Sequence, residues 1–249
     1  NIAITESSIC VANSRATRAD FESRYNPPSN WDCEVVHWGV DTEMFRPLDI
    51  ENEEENRNFT EIRTRFGAVS PGSKLLLAVG RLAARKGYGT LIRGFSALNK
   101  EMPNTKLVIV GRGHLKRRLM RLAKSLGVGE DVTIESSLSF AELAQLYRSS
   151  DLVVYPSFYE GQGLIPLEAM ASGVPVVTVD HGPLPEMVDE SVGALFTMGN
   201  IESMVSVMKE VLKAGRKKGE KGRARVLQKF TYSGNAESFE NIYLEAINR

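Results

Sequence analysis

Leu152-Val153-Val154-Tyr155-Pro156-Ser157-Phe158-Tyr159-Glu160-Gly161-Gln162-Gly163-Leu164-Ile165-Pro166-Leu167-Glu168-Ala169-Met170 is the stretch that decides how this chain is read. Residues 152–155 form a continuous apolar run of strand length, which reads as a buried strand. Proline is favoured at the first helical position, so Pro166 predicts a helix starting there. The amides of Gly163, Leu164 and Ile165 would then lack intrahelical acceptors and could cradle a phosphate. Glu160 and Glu168, eight positions apart, flank the turn, the first on the loop and the second in the opening helical turn. Such a pair can act as general acid and base. Alternatively, one acid holds a sugar ring and the other a ribose, or Glu168 complements the helix dipole while Glu160 is solvated.

Outward from this unit the pattern is regular. Apolar runs at residues 75–79, 107–110, 132–135, 152–155, 176–179 and 194–196 read as strands. Helical segments at residues 89–99, 115–126, 141–149, 166–171 and 183–188 lie between them, and three more follow at 201–213, 217–230 and 233–247. Strand and helix alternating in this way specify an α/β fold: a Rossmann-like parallel six-stranded sheet with helices on both faces. Such a sheet binds ligands at the carboxyl ends of its strands, where the Glu160 loop lies.

Gly80-Arg81-Leu82-Ala83-Ala84-Arg85-Lys86-Gly87 follows the first of these strands. Arg81 offers a planar fork and Lys86 a point charge, a combination that can neutralise a pyrophosphate; two ordinary surface cations read the same. The next strand ends in Gly111-Arg112-Gly113, a turn that permits close backbone approach. It lacks the third glycine of the dinucleotide fingerprint, and no acid follows at the expected place, which disfavours a dehydrogenase. Residues 136–139 follow the third strand, where a nucleotide base can rest against backbone groups. Lys116, Arg117, Arg118, Arg121 and Lys124 share a helix with an apolar face of leucines, which suits either ordinary packing on a sheet or an anionic membrane surface. Lys213, Arg216, Lys217, Lys218, Lys221, Arg223 and Arg225 read as a solvated face. His37, His114 and His181 are far apart, so no metal site or nucleophile triad is evident; His181 stands nearest the expected site.

The beginning of the chain reads as strand 9–12, helix 16–25 and strand 34–37. Residues 49–58 are acidic and almost free of apolar side chains, and read as an exposed linker or loop. With 31 Lys plus Arg against 31 Asp plus Glu in 249 residues, no global charge steers the chain toward nucleic acid. Cys10 and Cys33 are the only cysteines, which argues against a zinc or disulfide framework and fits a reducing cytosol. No apolar run has bilayer length and no leader pattern opens the chain, so a cytoplasmic location is expected.

The ordered set comprises Gly80-Arg81 with Lys86-Gly87, Tyr155-Pro156-Ser157, Glu160-x7-Glu168, Ala169-Met170-Ala171-Ser172-Gly173-Val174-Pro175-Val176-Val177, Gly182 with Glu186, and Gly193. Together it resembles the retaining GT-B glycosyltransferases of family 4. The resemblance implies that Arg81 and Lys86 bind the donor diphosphate and the amides near Leu164 and Ile165 the distal phosphate. It also implies that Glu160 holds the transferred sugar and Glu168 the ribose, with Gly80, Gly111 and Gly163 allowing close approach. The donor would be a nucleotide-diphosphate sugar, used without a bound metal or further cofactor. Trp38 departs from the asparagine usual before Gly-Val-Asp, Gln162 from a common aromatic, and residues 136–139 lack a usual glycine.

A GT-B enzyme closes its site between two domains, and the resemblance places only the second here. Residues 1–37 are expected to be the end of the first domain, 38–232 the nucleotide-sugar-binding domain, and 233–249 the helix crossing back. The chain opens on Asn1 and is expected to be a fragment or one member of a split enzyme, inactive in transfer by itself. Expected partners are a nucleotide sugar, the missing domain or a partner chain, and a saccharide, lipid or small-molecule acceptor. The rivals are a non-catalytic nucleotide or anion sensor and a nucleotide-sugar epimerase, the latter weakened because its acid and base cannot be placed.

Overall fold

The computed structural model describes residues 9–28 and 31–248. Strand β1 (Cys10–Ala12), helix α1 (Arg15–Tyr25) and strand β2 (Cys33–Val35) form a small parallel pair separate from the main sheet. Helix α2 (Glu53–Arg65) follows, then β3 (Lys74–Val79), α3 (Tyr88–Glu101), β4 (Thr105–Val110), α4 (Lys116–Ser125), β5 (Val132–Glu135), α5 (Phe140–Ser149) and β6 (Leu152–Tyr155). The chain continues through α6 (Leu164–Ala171), β7 (Val176–Val179), β8 (Gly193–Phe196), α7 (Ile201–Ala214), α8 (Lys217–Lys229) and α9 (Tyr232–Ile247). The six expected strands form one parallel sheet in the order β5-β4-β3-β6-β7-β8.

The central strands are apolar throughout because both sheet faces are covered: Leu75, Leu76, Leu77, Leu152, Val153, Val176 and Val177 are fully buried. From β3 the chain builds outward to β5 at one edge, then restarts at β6 and builds to β8 at the other. The loops after β3 and β6 therefore diverge in opposite directions and leave a crevice at the carboxyl ends of two adjacent strands.

Four expectations are corrected. Residues 49–58 are not simply a linker, since the acidic run enters α2. Asn52 Oδ1 accepts the amides of Glu54 and Glu55 at 3.0 and 3.1 Å. Glu53, Glu54 and Glu55 sit at the positive end of the helix dipole, with Arg63 and Arg65 at the other. No residue of α2 is fully buried; Ile62 packs half-buried on the core, and polar anchors add to it, notably Arg63 on Asp151 and on the carbonyls of Ser73 and Ser149. Second, α6 begins at Leu164, with Gly163 as its cap at φ +105°; Pro166 is its third residue, where an N–H would be unused in any case. Third, residues 183–188 hold only a short 3-10 turn, Leu184–Glu186. Fourth, β2 ends at Val35, leaving His37 beyond the strand.

The connection to α9 is close-packed. Val40 bridges Thr231, and a Cβ on Gly39 would lie 2.3 Å from the Thr231 carbonyl oxygen. Asn235 Nδ2 donates to the His37 carbonyl at 2.9 Å. No residue of α9 is buried, and Tyr232, Tyr243, Leu244 and Ile247 are exposed. Among the described residues no helix is long and apolar enough to cross a membrane.

Candidate functional site

The crevice floor is an ion pair between the two diverging loops. After β3, the 3-10 turn Ala84–Lys86 ends on Gly87, whose φ is +69°. A Cβ there would lie 2.1 Å from the Pro156 carbonyl oxygen, so glycine lets the β3 loop press onto the β6 loop. Lys86, only 8% exposed, donates from Nζ to Glu160 Oε1 at 2.5 Å and to Tyr155 Oη at 2.7 Å. The same Nζ stands 4.9 Å from the centre of the Tyr155 ring. Ser157 Oγ also donates to Glu160 Oε1, at 2.5 Å. Arg85 Nη1 donates to the Tyr159 carbonyl at 2.7 Å and reaches Oε1 at 3.5 Å. Lys86, Ser157 and Arg85 converge on the same carboxylate oxygen, Glu160 Oε1.

Burial would by itself raise the Glu160 carboxyl, but hydrogen bonds from Lys86, Ser157 and Tyr155 outweigh it and hold the group below the usual carboxylate range. Burial, then the nearby Glu160 charge, pushes the Tyr155 and Tyr88 phenols well up, so both stay protonated. The Tyr88 hydroxyl is buried without a partner among the described residues, 2.9 Å from where a Cβ on Gly80 would stand.

Glu168 lies in the second turn of α6 rather than the first. Burial raises its carboxyl, partly offset by the Tyr147 hydroxyl, which donates to Oε2 at 2.7 Å. The amides of Gly163, Leu164 and Ile165 make no hydrogen bond among the described residues. A Cβ on Gly163 would lie 2.9 Å from Leu184 Cδ2, so the capping glycine is fixed by packing as well as by its φ.

Arg81 is exposed and its side chain has no partner among the described residues. Gly111 has a packing reason of its own, because a Cβ there would meet the Gly80 carbonyl oxygen at 1.9 Å. The close approach is thus between the β3 and β4 loops. Three backbone groups after β5 are already engaged: Glu135 Oε1 accepts the amides of Ser136 and Ser137 at 2.8 and 3.3 Å, and Arg112 Nε donates to the Ser136 carbonyl at 2.8 Å.

His181 is exposed, and the structure instead brings His37 into contact near the loop. His37 Nε2 lies 2.8 Å from Glu186 Oε2, and the same carboxylate accepts the amides of Arg15 and Ala16 at 3.0 and 2.9 Å. Ser14 Oγ accepts the Thr17 amide at 3.0 Å, so the first turn of α1 has no orphan amide, unlike that of α6. Ser14 and Thr17 both donate to the Gly161 carbonyl, at 2.7 and 2.9 Å, tying α1 to the Glu160 loop. Gln162 accepts the Trp38 amide at 2.7 Å and donates to the Trp38 carbonyl at 2.9 Å. The two residues that depart from the resembled pattern thus face each other.

The Glu186 cap titrates. Burial opposes ionisation, but the Ala16 and Arg15 amides and His37 hold the carboxyl below its ordinary value. Its stabilisation is therefore present above the ordinary carboxylate pKa and is lost as pH falls through the lower folded value. Hydrogen exchange at Ala16, corrected for intrinsic pH dependence, is expected to accelerate over that fall and to be fast already in Glu186→Ala at neutral pH. Unaltered protection in the variant would contradict the cap.

A doubly wound α/β domain with an ion-paired crevice at its topological switch point is thus the class defined by fold and site. The family model of glycosyl transferases group 1 matches residues 60–226, and the chain belongs to this family. It is 30% identical over 251 residues to a D-inositol 3-phosphate glycosyltransferase of Segniliparus rotundus, covering 98% of this chain and 54% of that protein. It is 31% identical over 219 residues to a GDP-mannose-dependent alpha-(1-6)-phosphatidylinositol monomannoside mannosyltransferase of Mycolicibacterium smegmatis, covering 85% of this chain and 54% of that protein. The chain spans about half the length of these curated relatives. The fold is shared with Anabaena Alr3699/HepE, solved with UDP and glucose, at a TM-score of 0.85 and 20% identity over 98% of this chain and 65% of that one. Sucrose-phosphate synthase from Thermosynechococcus elongatus gives a TM-score of 0.82 at 22% identity, over 99% of this chain and 60% of that one.

Proposed function

We propose that this chain is the donor-binding half of a retaining glycosyltransferase that moves a hexose from a nucleotide-diphosphate sugar to an acceptor. The observation that carries the reading is the Lys86–Glu160 pair, set at the switch-point crevice in the same β6–α6 unit as the unengaged amides of Gly163, Leu164 and Ile165. A leaving diphosphate gathers negative charge as the sugar departs. Two cations and a helix N-terminus stabilise that charge without reorganising.

In this reading Arg81 and Lys86 take the diphosphate, with the α6 amides on its distal phosphate and no metal or further cofactor assigned. Glu160 uses Oε1 for Lys86, and its carboxylate takes sugar hydroxyls. Glu168, positioned by Tyr147, takes the ribose. Glu160 is a ligand for the sugar rather than a general acid, because its carboxyl is held ionised. The exposed apolar side chains of α9, and those beside α1, meet a second domain that completes the acceptor side. By itself the chain binds donor and transfers little.

Equilibrium dialysis against UDP-, GDP- and ADP-sugars tests this reading. One donor is retained, its 2′,3′-dideoxyribose analogue binds more weakly, and no sugar is transferred. Retention of none contradicts donor binding, and rapid turnover by this chain alone contradicts the division of the site.

A further inference from the structure

The two basic clusters differ in how they are used. Within residues 213–225, Arg223 donates to the carbonyls of Thr42, Phe45 and Ala171, Lys218 to those of Glu190 and Gly193, Arg225 to Met187 and Arg216 to Arg148. These four are internal braces, whereas Lys213, Lys217 and Lys221 of the same cluster are exposed, as a solvated face requires. On α4, Lys116 donates to Ser136 Oγ, whereas Arg117, Arg118, Arg121 and Lys124 are exposed and have no hydrogen-bond or ion-pair partner among the described residues. The helix carries five cations and no acid in ten residues, within a chain of zero net charge.

Beside this cationic arc lies a surface cavity of about 620 Å³ between α3 and α4. Three arginines, Arg93, Arg118 and Arg121, line it together with apolar Leu115, Leu122 and Phe158, and no acidic residue among those described does. Met120, 53% exposed, projects from the same helix as the unpaired cations. A free phosphate needs only the guanidinium groups; apolar walls beside them, and an exposed methionine among the cations, suit an anion that carries an apolar body.

We propose that this cavity and the cationic arc of α4 dock the chain on an anionic phospholipid surface, with a headgroup phosphate among Arg93, Arg118 and Arg121. The cavity shares Ala83, Ala84 and Gly87 with the loop that holds Lys86, so the docked surface lies beside the crevice. The inference rests on charge and shape and stands whether or not the crevice binds a sugar donor.

Cosedimentation with vesicles of phosphatidylcholine, alone or with roughly 30% phosphatidylglycerol, tests it, since each surface cation contributes measurably to anionic-lipid binding. The chain is expected to bind only the anionic vesicles. Arg118→Glu/Arg121→Glu is expected to weaken that binding by about thirtyfold. Lys217→Glu/Lys221→Glu, exposed residues carrying the same charge change, should leave it within about twofold. No binding to anionic vesicles overturns the proposal, as does an equal loss in both variants, which would mean net charge alone. Calorimetric binding of inorganic phosphate, sensitive to Arg118→Glu/Arg121→Glu but without vesicle binding, also overturns it in favour of a free anion.

Discussion

Lys86→Met lowers the unfolding free energy by about 3 kcal/mol, because it takes the buried cation from a carboxylate in the crevice wall and leaves it only the more distant, half-exposed Arg85. The two side chains are 9% and 12% exposed, so little solvent is available to Glu160 once Nζ is gone. Lys86→Met/Glu160→Gln is expected to recover most of the loss, since the cost lies in the unpaired charge rather than in the absence of the pair. The sign of the pH dependence follows. The folded Glu160 carboxyl lies below its unfolded value, so the pair stabilises above the ordinary carboxylate pKa and that stabilisation is lost as pH falls through the folded value. Denaturant unfolding therefore shows the gap between wild type and Lys86→Met narrowing in acid. A single variant within about 1 kcal/mol of wild type, or a double variant no better than the single, contradicts the buried pair.

Gly87→Ala is the second large effect, expected at about 3 kcal/mol or more. Two penalties combine there: a left-handed φ of +69°, and a Cβ 2.1 Å from the Pro156 carbonyl, a backbone atom that cannot swing aside. Gly127→Ala separates them, having φ +76° and nothing within 4 Å of the added Cβ; it is expected to cost about 1 kcal/mol. Because Gly87 presses the β3 loop onto the β6 loop, its substitution also separates Lys86 from Glu160. The variant is accordingly expected to lose donor binding along with stability, whereas Gly127→Ala keeps it. Equal costs at the two glycines, read by denaturant unfolding, remove the steric argument.

The six strands were legible because a parallel sheet covered on both faces leaves unbroken apolar runs such as residues 75–79 and 176–179. Helix α2 was not legible from periodicity, since none of its residues is fully buried; Asn52 followed by three glutamates was the available signal, and it marks a cap. In the site, Lys86 and Glu160 were both readable as polar groups at strand ends, but their pairing spans 74 positions and depends on β3 and β6 being sheet neighbours. Arg85, which also holds Glu160, stood in a quoted stretch without a pattern to single it out, and Ser157 stood in Tyr155-Pro156-Ser157 with no role attached to it. The Gln162–Trp38 bond likewise joins two positions that seemed separate irregularities, 124 residues apart. The capping of α1 by Glu186 needs the tertiary fold altogether, because nothing local marks an acid 170 residues downstream as a helix cap.

Arg81 offers the most direct test of the donor-diphosphate reading, since its exposed and unpartnered side chain can be removed without disturbing the core. Isothermal titration of UDP, GDP and ADP into wild type and Arg81→Ala is the measurement. One nucleoside diphosphate is expected to bind wild type, and its affinity to fall by about tenfold or more in Arg81→Ala with unfolding unchanged, as for the loss of a charge-assisted phosphate contact. Binding of none of the three, or equal affinity in the two proteins, would contradict the assignment of this crevice to a donor diphosphate.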